Sequence, residues 1–332
     1  MIVIRYGQDA LPYDKNTVLT VGTFDGVHCG HRGIITRMLE ASIVHRPSSI
    51  ADQRTPDDRR RTVVVTFDPH PQIVLQKPER EPVKLLSTID ERCEVFEQLG
   101  IDMVVVIPFT REFGATPAEQ FIRDVIVNGI GVSHFLVGHD HMFGKDRGGD
   151  ETLLQRLGPE CGFSVEIMPP LVCGEIVVSS TKVRNALKDG QVEEAEKMLG
   201  RPYSLKGRVV RGDERGRTIG FPTANIAPID EHKLMPGTGV YLVTTVIDGV
   251  ERVGMANIGV RPTFTTDTVP TLEVHYLDVD ADLYDRELTV FFRRFLRAEQ
   301  RFDSKEALLA QLLDDRNHAT EFQFTFNHRS TS

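Results

Sequence analysis

Runs of consecutive apolar residues and amphipathic stretches alternate along the first half of the chain. The apolar runs are rich in β-branched residues and lie at residues 17–21, 61–67, 102–107, 135–137 and 164–167. Between them, apolar positions recur at helical spacing around residues 90–99 and 151–157. Strands that are apolar along their whole length are typical of a parallel sheet covered on both faces. This half is therefore predicted to be an α/β domain.

The pattern changes near residue 202, where short alternating strands and glycine-rich turns begin. The predicted strands lie at residues 204–210, 239–247, 252–258, 271–277 and 288–296. Asp248-Gly249 is a strong hairpin signal between two of them. We expect an antiparallel barrel, followed by a helix over residues 304–315 with Ser304 as its N-cap.

The length of 332 residues suggests two domains, at about 150 residues each. We predict a first domain over residues 1–186, a linker over residues 187–202 and a second domain over residues 203–328. The stretch 46–61 is charged and contains prolines, so it predicts a mobile surface loop to which we assign no chemistry.

Composition narrows the class of protein. A net charge of −9, from 39 basic and 48 acidic side chains, argues against a general nucleic-acid binder. The sequence contains no apolar run of about 18 residues and no signal-peptide pattern, so we expect a cytoplasmic protein without a membrane partner. The four cysteines form no Cys-x-x-Cys pair, and reduced thiols are expected.

The most informative motif is Gly-Thr-Phe-Asp-Gly-Val-His-Cys-Gly-His-Arg at residues 22–32, between a predicted strand and a predicted helix. Gly22 and Gly26 allow a tight turn. His28 and His31 fall where the turn enters the helix, and a helix N-terminus favours phosphate. Two imidazoles there can donate hydrogen bonds to phosphate oxygens as negative charge develops.

This His-x-Gly-His pattern resembles the nucleotidyltransferase superfamily. Those enzymes join a nucleotide to a phosphate-bearing acceptor and release pyrophosphate, without a covalent enzyme intermediate. Without its flanking strand and helix, the same pattern would also fit surface histidines in a turn.

A second motif, Val-Ser-Ser-Thr-Lys-Val-Arg at residues 178–184, leads into a helix predicted to reach Lys188 and to stop at Gly190. Hydroxyls at a helix start, followed by two basic residues within one turn, suit a second phosphate contact. Taken alone, the pattern also fits a Ser/Thr helix cap with a solvated lysine and arginine.

A third motif occupies residues 211–225, where three arginines accompany glycines at positions 212, 216 and 220. The glycines let the backbone approach a ligand closely. Thr223 and Asn225 can direct a hydroxyl and an amide oxygen toward a magnesium ion bound to phosphates. The segment is not a Walker A loop, and by itself it also fits an Arg/Gly hairpin tip.

From about residue 18 to residue 315, the chain resembles the bacterial bifunctional riboflavin kinase/FAD synthetase family. The segments that carry the likeness, in order, are GTFDGVHCGHR, TFDPHP (66–71), VGHDHMFG (137–144), VSSTKVR, LGRPY (199–203), GRTIGFPTAN (216–225), ANIGVRPTF (256–264), LEVHYLD (272–278) and FLRAEQRF (295–302). The resemblance implies a Rossmann-like α/β nucleotidyltransferase domain with a parallel sheet. A mainly antiparallel β-barrel riboflavin kinase domain with a C-terminal helix follows it. Both domains would use ATP and Mg²⁺.

In the first domain, the resemblance implies that His28 and His31 stabilise the ATP phosphates during attack by the FMN phosphate on the α-phosphorus. Ser180, Thr181 and Arg184 would hold the triphosphate from the other side. The further nucleotide- and flavin-binding residues implied for this domain are Gly22, Phe24, Asp25, Gly30 and Asp140.

In the second domain, the resemblance makes Glu273 the base that accepts the proton of the ribityl 5′-hydroxyl. Thr223 and Asn225 would be ligands to Mg²⁺ and the ATP phosphates. The further binding residues implied are Gly216, Arg217, Gly220, Pro222 and Arg297. Glu273 alternates with Leu272 and Val274, so it lies on the opposite strand face from the apolar set.

The family often has Asp-Phe-Arg-Phe-Gly where residues 140–144 read Asp-His-Met-Phe-Gly. Its Tyr-Gly-Lys turn is here Tyr284-Asp285-Arg286, which keeps the cation and loses the glycine. Neither change removes a proposed catalytic group, so both sites are expected to be active.

The expected function is phosphorylation of riboflavin to FMN, followed by adenylylation of FMN to FAD, with riboflavin, FMN and ATP as partners. One alternative is a riboflavin kinase beside an inactive or re-purposed nucleotidyltransferase domain, such as one for a cytidylyl or pantetheine-type reaction. Another is a non-catalytic flavin-binding or regulatory protein, against which the retained reactive side chains weigh. The oligomeric state is left open.

Overall fold

The computed structural model describes residues 1–43, 59–77, 79, 81–139, 142–170, 172–173, 176–212, 216, 219–260 and 270–329. These residues separate into two compact units, Met1–Ser179 and Ser180–Ser332. Most of the loop predicted at residues 46–61 lies outside the described residues, as do the predicted site residues Asp140 and Arg217.

The first unit is built on a six-stranded sheet with the strand order β1-β4-β3-β2-β5-β6, and all its neighbouring strands are parallel. The strands are β1 (Ile2–Arg5), β2 (Thr17–Val21), β3 (Arg61–Asp68), β4 (Met103–Pro108), β5 (His134–Gly138) and β6 (Ser164–Met168). The prediction of a parallel sheet is confirmed. Strand β1 was not predicted, because it is a short edge strand with Ile2 and Val3 exposed.

Helices cover both faces of this sheet. They are α1 (Cys29–Ser42), α2 (Pro71–Val74), α3 (Ile89–Gln98), α4 (Arg111–Gly114), α5 (Ala118–Phe121), its π-helical continuation (Ile122–Ile130) and α6 (Glu151–Cys161). A 3₁₀ turn (Lys145–Arg147) precedes α6, and a small hairpin of β7 (Val172–Cys173) and β8 (Ile176–Val177) follows β6. On β3, Val63 and Val65 belong to one apolar core and Val64 to the other. The continuous apolar run therefore reflects burial on both sides.

Two helix boundaries differ from the prediction for local reasons. Helix α3 begins at Ile89 because Thr88 and Glu91 form a capping box, in which each side chain accepts a hydrogen bond from the other's backbone N–H. Helix α6 continues to Cys161, four residues beyond the predicted end. It ends there because Gly162 follows in the left-handed conformation, with a φ of 79°, and donates its N–H to the Gly158 carbonyl.

The second unit is a closed barrel with the strand order β10-β13-β12-β11-β14-β9, preceded by two helices and followed by one. Its elements are α7 (Ser180–Lys188), α8 (Val192–Leu199), β9 (Tyr203–Val210), β10 (Ala224–Pro228), β11 (Gly239–Ile247), β12 (Val250–Val260), β13 (Pro270–Tyr276), β14 (Glu287–Arg297) and α9 (Lys305–Arg329). All neighbouring strands are antiparallel, so the predicted barrel is confirmed. The sequence had not predicted α8 or β10.

Two local predictions for the barrel are confirmed. Asp248 and Gly249 join β11 to β12 with φ values of 51° and 76°, the left-handed pair that a tight hairpin requires. Ser304 caps α9, because its Oγ accepts a hydrogen bond from the Ala307 N–H at 3.1 Å. The helix itself runs to Arg329, well past the predicted end.

Helix α9 is attached to the barrel through a buried carboxylate. Asp315 is 2% exposed and accepts hydrogen bonds from Arg297 Nε at 3.0 Å and Nη2 at 2.8 Å. Gln311 Nε2 adds a third donor at 3.0 Å. The paired Arg297 side chain is itself 19% exposed. This pair joins the last residue of β14 to the middle of α9.

We expect Asp315→Ala to loosen α9, because it leaves the Arg297 charge largely buried without its partner. Breaking such a pair costs about 3 kcal/mol, or about a 100-fold increase in local opening. Hydrogen–deuterium exchange of peptides from α9 measures this opening. Asp314→Ala, at the exposed neighbouring position, is the matched control, and equal exchange in both variants would contradict the role of the pair.

Candidate active sites

The two predicted histidines meet at the start of α1. His28 is the N-cap residue, and its Nδ1 accepts a hydrogen bond from the His31 N–H at 3.4 Å. The two imidazole rings stack with centroids 3.7 Å apart. The Phe24 and His31 rings form a T-shaped pair with centroids 5.1 Å apart. The structure thus places two imidazoles at a helix N-terminus, where a phosphate would meet both the rings and the helix dipole.

Two glycines of this motif make the ring packing possible. A Cβ on Gly30 would lie 3.2 Å from the His28 ring, and a Cβ on Gly22 would lie 3.0 Å from the Phe24 ring. Both distances are tighter than ordinary van der Waals contacts. The spacing of glycine and histidine in the motif therefore has a steric reason as well as a chemical one.

The turn before α1 has an unusual backbone. Phe24, Gly26 and Val27 have φ values of 49°, 84° and 38°. For Phe24 and Val27, which carry a Cβ, such a conformation costs about 1–3 kcal/mol each. Both side chains are buried in the core beneath the turn, which compensates for this cost. The turn is therefore held in one conformation before a substrate arrives.

Asp25 anchors the same turn to a second loop. Its carboxylate is 2% exposed and accepts hydrogen bonds from the Leu86 and Ser87 N–H groups at 2.9 and 3.0 Å. In return, the Gly26 N–H donates to Ser87 Oγ at 2.7 Å. These contacts give Asp25 a structural task, and its expected contact with the nucleotide or flavin stays a prediction.

Arg92 on α3 is a buried cation beneath this site, with 1% of its surface exposed. Its Nη1 donates to the Thr23 carbonyl at 2.7 Å and to Thr66 Oγ1 at 2.9 Å, and both terminal nitrogens donate to the Phe67 carbonyl at 3.2 Å. Burial lowers the pKa of the guanidinium, and nearby aspartates oppose that shift. One side chain thus connects the turn before α1 to the end of β3.

The second predicted phosphate contact lies on α7, which begins at Ser180 and ends at Lys188, the predicted end. Ser180 and Arg184 are half-buried, Thr181 is exposed, and Gly190 follows the helix with a φ of 75°. By its contacts, α7 groups with the second unit. The expected convergence of these side chains with His28 on one nucleotide stays a prediction.

In the barrel, the strand register brings the expected kinase residues together. Glu273 on β13 pairs directly with Asn225 on β10 and with Asn257 on β12. Thr223, just before β10, donates a hydrogen bond from Oγ1 to Glu273 Oε2 at 3.5 Å. The predicted base and both predicted metal ligands are therefore neighbours.

A histidine that the sequence analysis did not select supports this segment. His275 Nδ1 donates to the Pro222 carbonyl at 2.8 Å, and its ring lies 5.1 Å from that of Phe221. Burial lowers the pKa of His275, an effect that the hydrogen bond to Pro222 opposes. The guanidinium of Arg316 on α9 lies over the Phe221 ring, 5.6 Å from its centroid. These contacts fix the backbone that carries Thr223.

Close backbone approach also explains the glycines of the third motif. A Cβ on Gly212 would lie 2.2 Å from Asn225 Nδ2, and one on Gly216 would lie 2.2 Å from the Phe221 carbonyl. Gly220 has a φ of 81°. Gly212 thus leaves room for the Asn225 amide, and Gly216 lets the backbone approach that of Phe221.

A cavity of about 440 Å³ opens beside these residues. Its walls combine apolar side chains with the polar edge that carries Thr223, and the residues that line it are Val209, Pro222, Thr223, Ala224, Val274, Tyr276, Val279, Asp280, Ala281, Asp282, Leu283 and Tyr284. Its volume and mixed lining suit a small-molecule ligand. Thr223, one of the lining residues, donates a hydrogen bond to the carboxylate of Glu273.

The oxygen donors at this point fit Mg²⁺. A hydroxyl, a side-chain amide and a carboxylate are the hard ligands that Mg²⁺ accepts alongside substrate phosphates. The space over Gly212 that a Cβ would fill is taken by the Asn225 amide, which lies next to Glu273 in the register. Within the described ranges, no cluster of three His, Cys, Asp or Glu side chains could hold a metal without a substrate.

Two further predicted positions can be described. Arg297 points to Asp315 and lies over Phe302, 5.8 Å from its centroid, and its expected contact with a ligand stays a prediction. Asp285, where the family has glycine, has a φ of 61°. The backbone of that turn thus keeps the left-handed conformation that favours glycine, and Arg286 pairs with Asp248 at 2.7 Å.

Sequence reasoning missed three residues that matter here: Arg92, Asn257 and His275. Arg92 takes an inward position of an amphipathic helix, and a charge at such a position was a usable signal. Asn257 and His275 gain their meaning only from the pairing of distant strands, which the sequence does not display.

Comparisons with known proteins agree with this geometry. Residues 11–182 match the family model for FAD synthetase, and residues 199–323 match the model for riboflavin kinase. Together they define a transferase with two catalytic domains. The chain belongs to the bifunctional riboflavin kinase/FMN adenylyltransferase family.

Relatives with that name span nearly the whole chain. The Pseudomonas fluorescens enzyme is 40% identical over 308 residues, and the Listeria monocytogenes enzyme is 37% identical over 309, each covering 93% of both chains. A solved structure described as a macrolide-efflux protein from Streptococcus pneumoniae aligns with a TM-score of 0.83 at 29% identity, over 96% of this chain and 99% of that one. In the part of the chain that the structure describes, no helix has the length and apolarity needed to span a membrane.

We expect Arg92→Leu to slow FMN adenylylation by at least about 10-fold, because small displacements of positioned groups reduce rates steeply. Riboflavin phosphorylation in the same molecule should stay within about twofold, since Arg92 contacts the first unit. Initial rates of both steps, measured on one preparation, make the comparison.

Arg111→Leu, at an exposed position on α4, is the matched control for the Arg92 variant. Arg92→Lys should recover part of the rate, because lysine keeps the charge but cannot reach all three oxygens. A parallel loss of both activities in Arg92→Leu would indicate general unfolding and contradict the positioning role.

Proposed function

We propose that the chain makes FAD from riboflavin in two steps. The barrel transfers the γ-phosphoryl group of ATP to the terminal ribityl hydroxyl, giving FMN and ADP. The α/β unit then joins FMN to the AMP moiety of a second ATP and releases pyrophosphate. Family membership and the arrangement of polar groups at each site support both steps.

The position of Glu273 is the main observation that supports the kinase step. Its carboxylate lies between two amide side chains on neighbouring strands and within 3.5 Å of the Thr223 hydroxyl. In our proposal, this carboxylate accepts the proton of the attacking hydroxyl as the new O–P bond forms. The P–O bond to the ADP leaving group breaks at the same time.

Thr223 and Asn225 would hold Mg²⁺ and the phosphates of ATP. When bound there, Mg²⁺ would neutralise charge on the phosphate oxygens. The protein's own contribution is to keep the two side chains in place. His275 does so through the Pro222 carbonyl, and Gly212 does so by leaving room for the Asn225 amide.

The cavity next to Thr223 is the proposed nucleotide pocket. At about 440 Å³ it is large enough for a nucleoside, and its apolar residues Val209 and Val274 suit a planar base. Tyr284 lines the same cavity, with Arg211 over its ring at 5.4 Å. A base held there would direct its phosphates toward Thr223.

For the adenylyl step, we propose that an FMN phosphate oxygen attacks the α-phosphorus of ATP. The stacked His28 and His31 at the start of α1 would donate hydrogen bonds to phosphate oxygens as charge moves onto pyrophosphate. Ser180, Thr181 and Arg184 would hold the other end of the triphosphate. Catalysis here depends on positioning and electrostatics more than on proton transfer. Because both steps consume ATP, we place them in the cytoplasm.

A time course with riboflavin, ATP and Mg²⁺ tests the proposal, with riboflavin, FMN and FAD separated by chromatography. FMN appearing before FAD is the expected result. FMN that accumulates without FAD, even when FMN is supplied directly, would support the alternative of a kinase beside a silent or re-purposed transferase. Absence of FMN would refute the kinase step.

We expect Glu273→Gln to reduce FMN formation by about 10²- to 10⁴-fold, because the variant cannot accept the hydroxyl proton. Conversion of supplied FMN to FAD should be unchanged. Glu287→Gln, an exposed glutamate of the same barrel, serves as the control. Equal loss of both activities in Glu273→Gln would refute the assignment of Glu273 to one step.

His31→Ala should have the opposite effect. Loss of one donor to the phosphates should slow adenylylation by about 10²- to 10³-fold and leave riboflavin phosphorylation intact. His318→Ala, at an exposed position on α9, is the matched variant. Undiminished FAD formation by His31→Ala would show that this imidazole has no part in the reaction.

A further inference from the structure

The strand register puts a third polar side chain beside the proposed catalytic base. Glu273 pairs with Asn225 on one side and with Asn257 on the other. Directly paired residues of antiparallel strands project to the same face, with Cβ atoms about 5 Å apart. Asn225, Glu273 and Asn257 therefore form a row across β10, β13 and β12, with the carboxylate in the middle.

The burial and hydrogen bonding of Asn257 suit a side chain that binds a ligand. It is half-buried between Ala256 and Ile258, both fully buried. Its side chain makes no hydrogen bond to any residue in the described ranges. A polar amide kept partly from water without a partner is costly, and a ligand hydroxyl would offset that cost.

Gly259 leaves room beside this amide. A Cβ on Gly259 would lie 3.3 Å from Asn257 Nδ2 and 2.6 Å from Glu299 Oε1. A side chain at position 259 would thus clash with the Glu299 carboxylate and crowd the Asn257 amide. The absence of a side chain at position 259 therefore leaves space for the Asn257 amide.

The two ends of the row have different tasks. Asn225, with Thr223 close by, is assigned to the metal and the phosphates of ATP. The accepting alcohol then approaches Glu273 from the other end, where Asn257 stands. This division suits phosphoryl transfer, in which the donor and the acceptor take opposite sides of the transferred group.

We propose that Asn257 binds the acceptor substrate, by a hydrogen bond to the secondary hydroxyl next to the one that is phosphorylated. The inference rests on the proposed kinase activity. An amide can both donate and accept, as a hydroxyl does. Two adjacent hydroxyls of the polyol chain thus form hydrogen bonds with two adjacent side chains of the protein. Glu273 takes the terminal hydroxyl and Asn257 takes its neighbour.

The test compares riboflavin with 4′-deoxyriboflavin, which lacks that neighbouring hydroxyl, in the full chain and in Asn257→Ala. One neutral hydrogen bond corresponds to about a 3- to 10-fold change in kcat/KM. We expect this loss for the analogue with the unchanged chain and for riboflavin with Asn257→Ala. The analogue should lose nothing further in the variant, and the KM for ATP should stay within about twofold.

Losses that multiply in Asn257→Ala with the analogue, or a raised KM for ATP, would overturn the proposal. Val250→Ala at the exposed start of β12 is the control, and FMN adenylylation by the same preparations reports on folding. Asn257→Ser provides a second variant, which keeps a polar but shorter side chain, and the same non-additive result is expected from it. An unchanged chain that makes no FMN would refute the proposed kinase, whereas an active chain with multiplying losses would refute only the role of Asn257.

Discussion

The register of β13 between β10 and β12 determines the chemistry of the barrel. Side chains alternate along a strand, so a slip of one residue would turn Glu273 into the apolar interior and bring Leu272 or Val274 outward. The alternation of buried and half-buried residues on β13 prevents such a slip. Closure of the barrel adds a second restraint, because both edges of β13 are occupied. Packing of the interior thus places the carboxylate that we propose as the catalytic base.

The first unit places its groups by a different means. There the reactive side chains follow a strand and stand on a turn, and a turn needs its own supports. Those supports are a buried cation that reaches three oxygens and a buried aspartate that holds a neighbouring loop. Gly22 and Gly30 let rings approach the backbone and each other. Both sites therefore depend on close approach at small residues, although one is set by register and the other by a network of hydrogen bonds.

Most of the architecture could be predicted from the sequence, because the spacing of apolar residues along a strand or helix is a local property. The run at β3 predicts burial on both faces, and its alternate valines do face two different cores. The short strand β10 was missed because its start overlaps the glycine and arginine motif, which looked like a loop. The meeting of His28 with His31 was foreseeable from a spacing of three residues at a helix start. The pairing of Glu273 with Asn257 was not, because it depends on the register between two separate strands.

Asp285 shows that a comparison of residue types alone can miss the backbone conformation. A reader who aligns side chains would count this position as a lost glycine next to the proposed nucleotide pocket. The backbone there still has a positive φ, and aspartate is among the few residues with a side chain that adopt it readily. Aspartate at this turn is therefore compatible with a left-handed backbone conformation that glycine also adopts. Substitutions along such a chain are therefore better judged by the conformation they permit than by the chemistry they replace.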